Sequence, residues 1–130
     1  IFCPFNSQAT LFHKSVFSFL YLPSYVPFRM TDIWRSFVIQ GIAHNSNLFI
    51  GFSNAIVYQD RNSHNLLKDF KDEIEGYLNN EEIINRCNKY EWETYPNLSS
   101  MYKYILSCTD SFELKELDII NEWSNLCVTI

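Results

Sequence analysis

The pattern of apolar and polar positions changes character along the chain. Residues 1–10 read as irregular or extended, with Pro4 and the polar set Asn6-Ser7-Gln8. The mostly apolar run from Leu11 to Tyr21 predicts a short, largely buried helix. Pro23 and Pro27 then flank an extended stretch, because proline disfavours helix in itself and in the residue before it. Thr31 offers an N-cap hydroxyl, and a helix is expected from about Asp32 to Ala43. Two short apolar runs, 48–52 and 55–59, bounded by Asn and Ser, read as strands. From Asn65 the spacing becomes helical: Leu66, Leu67, Phe70, Ile74, Tyr77 and Leu78 share one face. Gly76 and the pair Asn79-Asn80 predict the end of that helix, with Asn80 capping another that turns Ile83, Ile84 and Cys87 inward. Two further helices fit about 97–108 and about 112–126. The order predicts a mixed α/β portion, 1–78, followed by a helical tail, 79–130, with 90–97 as a joint.

Composition supports a folded chain: 130 residues with 47% apolar and 19% charged side chains suffice for a real core. Charge is unevenly spread. Residues 1–65 carry four basic and two acidic groups, net +2, and the remainder six basic and thirteen acidic, net −7. That acidic balance argues against nucleic acid as a partner, since phosphate neutralisation needs clustered Lys and Arg. The mildly basic first half still suits a small anion such as a diphosphate. Cys3, Cys87, Cys108 and Cys127 lie far apart without a CxxC pair, so neither a metal cluster nor a disulfide framework is indicated. No apolar run reaches the ~18 residues a membrane span needs. The chain starts at Ile1 rather than Met, and its first residues read as the middle of a fold, so a longer parent protein is expected.

The segment from Arg29 to Arg35 concentrates the candidate chemistry. An acid at a helix start, here Asp32, lies beside unpaired backbone amides where the helix dipole favours negative charge. Taken alone that is an ordinary first-turn acid. Its company changes the picture: Arg29 and Arg35 carry the planar fork suited to diphosphates and carboxylates, and Trp34 offers an apolar wall for a sugar or base. A second polar cluster, 59–65, follows a predicted strand, where α/β folds place their ligands; Arg61 is its candidate phosphate contact. Asn6 and Gln8 either orient a sugar hydroxyl or satisfy backbone groups in a turn. The acidic run 69–75 reads as the solvated face of its helix.

Four blocks in order, Phe5-Asn6-Ser7-Gln8, Leu20-Tyr21-Leu22-Pro23-Ser24, Phe28 to Ser36 (FRMTDIWRS) and Gln59-Asp60-Arg61-Asn62, resemble the STELLO-type glycosyltransferases. The resemblance runs from about Pro4 to Leu78. It implies a partial GT-A-like, Rossmann-like α/β fold that moves a sugar from a nucleotide-sugar donor to a hydroxyl-bearing acceptor. Asp32 would then be the general base, with Arg29 and Arg35 holding the acceptor or offsetting diphosphate charge. It also implies a divalent metal, Mn²⁺ or Mg²⁺, whose main ligands would precede residue 1. His64 would complete its coordination, the plainer reading being a solvated loop. The compartment implied is the cytoplasm for a bacterial member and the Golgi for a eukaryotic one. A different class stays open: a non-catalytic, transferase-like module that assists polysaccharide-synthesising partners.

Overall fold

In the computed structural model, which describes residues 1–60, 62–92 and 97–127, every regular element is helical. Two 3-10 turns, Lys14–Phe19 and Phe28–Met30, precede four α-helices: α1 (Thr31–Asn45), α2 (Leu66–Lys89), α3 (Leu98–Leu106) and α4 (Glu116–Cys127). No strand occurs among the described residues. The expected α/β, Rossmann-like GT-A sheet is therefore corrected to a helical fold.

α1 is the centre. All ten residues from Trp34 to Ala43 are buried, Arg35, Ser36 and Gln40 among them, so α1 is enclosed on every side. α2 and α3 pack on it, the turn Phe28–Met30 packs on both α1 and α2, and α4 closes over α3 and the turn Lys14–Phe19. Trp34, Phe37, Ile83, Met101, Tyr102 and Ile120 meet in one cluster with no more than 1% of any side exposed. Each such burial stabilises by about 1.5–3 kcal/mol relative to exposure.

The first residues are held by an unusual ladder along α1. Cys3, Phe5 and Ser7 donate their backbone N–H groups to Gln40 Oε1 (2.7 Å), Ser36 Oγ (3.3 Å) and Asp32 Oδ2 (3.0 Å). The registers match. Two residues of extended chain advance about 6.6 Å, and four residues of helix advance about 6 Å. Polar side chains spaced by four on α1 thus satisfy alternate amides that a sheet would otherwise have paired.

Both expected strands fail for want of such partners. Residues 49–60 have no regular structure, and Phe49, Phe52, Ile56 and Tyr58 are between 72% and 93% exposed. Apolar composition alone does not make a strand; a ladder has to receive its amides and carbonyls.

The expected break near Gly76 and Asn79-Asn80 is also absent, and α2 runs through it. Gly76 lies under the Met30 thioether, where a side chain would collide. Asn79 donates back to Glu75 O at 2.9 Å, and Asn80 Oδ1 accepts from the buried Trp34 indole N–H at 2.9 Å. Of these residues that usually end helices, Gly76 and Asn80 serve tertiary contacts and Asn79 bonds back within α2. Thr31, expected as a cap, is the first helical residue instead, its hydroxyl donating to Phe28 O at 3.0 Å.

Candidate functional site

The start of α1 is fixed from both sides. Ahead of it, the proline-flanked stretch is anchored by Glu116 of α4, which is wholly buried. This carboxylate accepts from the Tyr21 hydroxyl, from Ser24 N–H at 2.8 Å and from Tyr25 N–H at 2.7 Å. Burial first, and then the bond to Glu116, push the Tyr21 phenol well above its ordinary range, so it remains a donor. A fixed loop means that Phe28–Met30 enters α1 in one direction.

On one flank of α1 stand Asp32, Arg35 and the turn 6–10. Asp32 is half-buried; its Oδ2 holds Ser7 N–H, and no described residue bonds Oδ1. Arg35 is only 4% exposed, an uncommon place for a guanidinium. Its Nη2 donates to Ser7 Oγ at 2.8 Å, and the group lies 5.2 Å from the centre of the Phe12 ring. Its Nε is buried without a partner among the described residues. Desolvation lowers the Arg35 pKa, while Tyr102 and Asp32 act in the opposite direction. Ser7 therefore joins acid and base, accepting from one and donating to the other. Asn6 Oδ1 accepts Gln8 N–H at 3.0 Å, which shapes the turn, and Ala9 takes a left-handed φ of 51°. The Gln8 side chain points into an exposed position.

On the other flank Arg29 reaches α2. Its Nε donates to Glu73 Oε1 at 2.6 Å, and its Nη1 is 3.3 Å from Asp69 Oδ1. The hydrogen bond to Glu73 raises the Arg29 pKa, so the guanidinium stays charged. His64 Nδ1 is 3.3 Å from Asp69 Oδ2, and Tyr77 donates to Glu73 Oε2 at 3.3 Å. Arg29, His64, Leu66, Asp69, Phe70 and Glu73 line an open cleft of about 280 Å³.

The residues singled out in the sequence are thus sorted rather than gathered. Asn6, Asp32 and Arg35 meet around Ser7, while Arg29 and His64 meet across α2. Trp34 is fully buried with its N–H on Asn80, so neither ring face is open to a sugar. Arg61 lies outside the described residues. Asp69, Glu73 and Glu116 were missed, the first two because an acidic run reads as solvated when no opposing Arg is visible. The signal available was the four-residue spacing of Asp69 and Glu73, which puts both carboxylates on one helical face.

The donor set does not suit a divalent cation. Arg29 already fills the space between Asp69 and Glu73, and Asp69 also engages His64. Among the described residues no group of three or more His, Cys, Asp or Glu side chains is arranged to hold a metal. Nor is any described helix long and apolar enough to cross a membrane.

A family model described as STELLO glycosyltransferases matches residues 29–118, a span that begins at Arg29 and takes in α1, α2, α3 and Glu116. No curated protein and no solved structure matches the chain.

Proposed function

The chain belongs to the STELLO glycosyltransferases, and from that premise we propose that it activates the acceptor in transfer of a sugar from a nucleotide-sugar donor to a hydroxyl group. Asp32 is the base. One oxygen is pinned by Ser7 N–H, which fixes the carboxylate plane, and the other is open to an acceptor hydroxyl. As the acceptor oxygen bonds to the anomeric carbon, its proton passes to Asp32, and the bond to the leaving diphosphate breaks with the electron pair staying on the diphosphate. Arg35 is a positioning residue: it holds Ser7, the partner of Asp32, from within the fold.

The observation that carries this reading is the half-open Asp32 carboxylate at the start of α1, backed by a buried arginine. Its rival is that Asp32 is only the last rung of the ladder. The full-length protein, given a panel of nucleotide sugars with Mn²⁺, separates the two. Asp32→Asn keeps an oxygen for Ser7 N–H, so stability should change by less than about 1 kcal/mol. Donor turnover should fall by about 10²–10⁴-fold. A folded Asp32→Asn protein with native turnover would remove Asp32 from the chemistry.

One observation favours a second reading, a non-catalytic interaction module. Leu66, Leu67 and Leu78 on α2 are between 75% and 83% exposed, alongside the apolar residues of 49–58. Extended apolar surface of this kind marks contact with another body. A well-folded full-length protein that consumes no donor would decide for that module.

A further inference from the structure

The cleft between Arg29 and α2 has a chemistry of its own, distinct from that around Asp32. Two carboxylates, Asp69 and Glu73, face one guanidinium, Arg29, so the cleft is net negative when His64 is neutral. A phosphate or diphosphate is repelled there, and the arginine that the sequence offered to an anion is already taken. The polar groups are nevertheless well placed for something neutral. Arg29 fixes both acids, Tyr77 braces Glu73 from the far side, and each carboxylate oxygen keeps a second lone pair. Arg29 Nη2 remains as a donor, and on neutral His64, whose Nδ1–H faces Asp69, Nε2 accepts.

One wall of the cleft is apolar. Phe70 is 57% exposed and Leu66 78% exposed among its lining residues, and the Tyr77 ring lies 6.1 Å from that of Phe70, outside the lining. Open aromatic surface beside pre-aligned carboxylates and a guanidinium matches a pyranose, whose ring presents an apolar face and a rim of hydroxyls that both donate and accept. The volume, about 280 Å³, lies at the small end of ligand sites, which begin near ~300 Å³.

We propose that this cleft is a subsite for a neutral sugar residue of the acceptor, with Phe70 against the ring face and Asp69, Glu73 and Arg29 on its hydroxyls. The assignment rests on the glycosyl-transfer reading above. It adds what class of sugar is bound, on the flank of α1 away from the Ser7–Asp32 contact.

The test reads binding without turnover. Methyl β-D-glucopyranoside, methyl β-D-galactopyranoside and methyl α-D-mannopyranoside are titrated into the isotope-labelled chain by NMR, with inorganic phosphate as the anionic probe. At least one glycoside should bind with a Kd of about 1–50 mM, shifting the Phe70 amide and the Arg29 Nε–H. Phe70→Ala and Glu73→Gln, each checked by thermal melting, should weaken that binding by about tenfold or more, which corresponds to at least ~1.4 kcal/mol. Phosphate should leave the same signals unmoved. Asp32→Asn should bind as the native chain does, so failure of the base leaves this result standing. The inference is overturned if no glycoside moves Phe70 and Arg29, if both folded variants bind as the native chain does, or if phosphate occupies the cleft instead. Donor turnover with no glycoside bound at this cleft would overturn it alone and spare the role of Asp32.

Discussion

Replacing Glu116 with alanine removes the shared acceptor of three donors that no other described group serves. The carboxylate is fully buried, and it collects Tyr21 O–H, Ser24 N–H and Tyr25 N–H. A hydrogen bond to a charged group contributes about 1.5–3 kcal/mol, and a buried donor left alone costs about 1–3 kcal/mol. The three donors are not equally dry. Ser24 is exposed and Tyr25 half-buried, so water can reach their amides, whereas Tyr21 is 4% exposed and cannot be rehydrated cheaply. Weighing one full penalty and two partial ones gives about 3–5 kcal/mol for Glu116→Ala. In a domain of this size that lowers the midpoint by roughly 10–20 °C. Glu116→Gln keeps one oxygen and turns an amide N–H toward a donor, so about 2 kcal/mol is expected. Urea unfolding followed by tryptophan fluorescence measures both. A double-mutant cycle with Tyr21→Phe should return a coupling of at least ~1 kcal/mol. If Glu116→Ala does not fold, Glu116→Gln and Tyr21→Phe carry the measurement. Losses below about 1 kcal/mol for the Glu116 variants with no coupling would refute the anchoring role.

A methyl group at Gly41 collides with the Trp92 ring, which is held by its N–H on Cys87 O at 3.1 Å. Gly41→Ala should therefore cost about 1–3 kcal/mol in urea unfolding, despite the ~1 kcal/mol that alanine gains in helix propensity. At Gly76 the obstacle is the flexible Met30 thioether, so Gly76→Ala should cost clearly less, and equal costs would contradict the packing described. Arg35→Met should be neutral or stabilising by about 1–2 kcal/mol in thermal melts, because a sparsely partnered buried charge gives way to an apolar chain. It should also lower donor turnover, whereas a large stability loss would mean the arginine is held better than its contacts show. Burial raises the Cys87 thiol from its ordinary 9.0 to about 12. Between those values the unfolded chain loses the proton and the folded chain keeps it, so this contribution is complete below about pH 9 and declines by up to ~1.4 kcal/mol per pH unit above it; Cys87→Ala should flatten urea midpoints measured across that window.

Much of the helical layout was legible because its signals are local. Asp32–Ala43 was expected where Thr31–Asn45 is helical, and α3 and α4 fall within a few residues of their expected spans. The family was legible too, from blocks of which FRMTDIWRS and QDRN fall largely or wholly inside the matched span. What failed was non-local. Whether 48–52 and 55–59 become strands depends on partners that a single sequence does not display. Asn80 reads as a cap until Trp34 is seen to need an acceptor. Asp32, Ser36 and Gln40 look like scattered polar residues on an apolar helix until the extended segment 3–7 is laid beside them. At the site, residues grouped by sequence need not stay together, and Arg29 and Arg35 diverge to opposite flanks. Trp34 turns inward because position 34 faces the core of a helix buried on every side.

The contacts that set the approach to Arg29 close late in the life of the chain. Tyr21 and Glu116 are 95 residues apart, and Ser18 accepts from the Trp123 indole 105 residues downstream. At about 5–20 residues per second, ribosomal synthesis leaves the segment 18–25 waiting roughly 5–20 s for these partners. During that interval α1 can form with its entry loop untethered. A ribosome stalled between α3 and α4 would therefore hold a nascent chain in which the family's matched segment is nearly complete but the loop 18–25 that leads into it has no anchor.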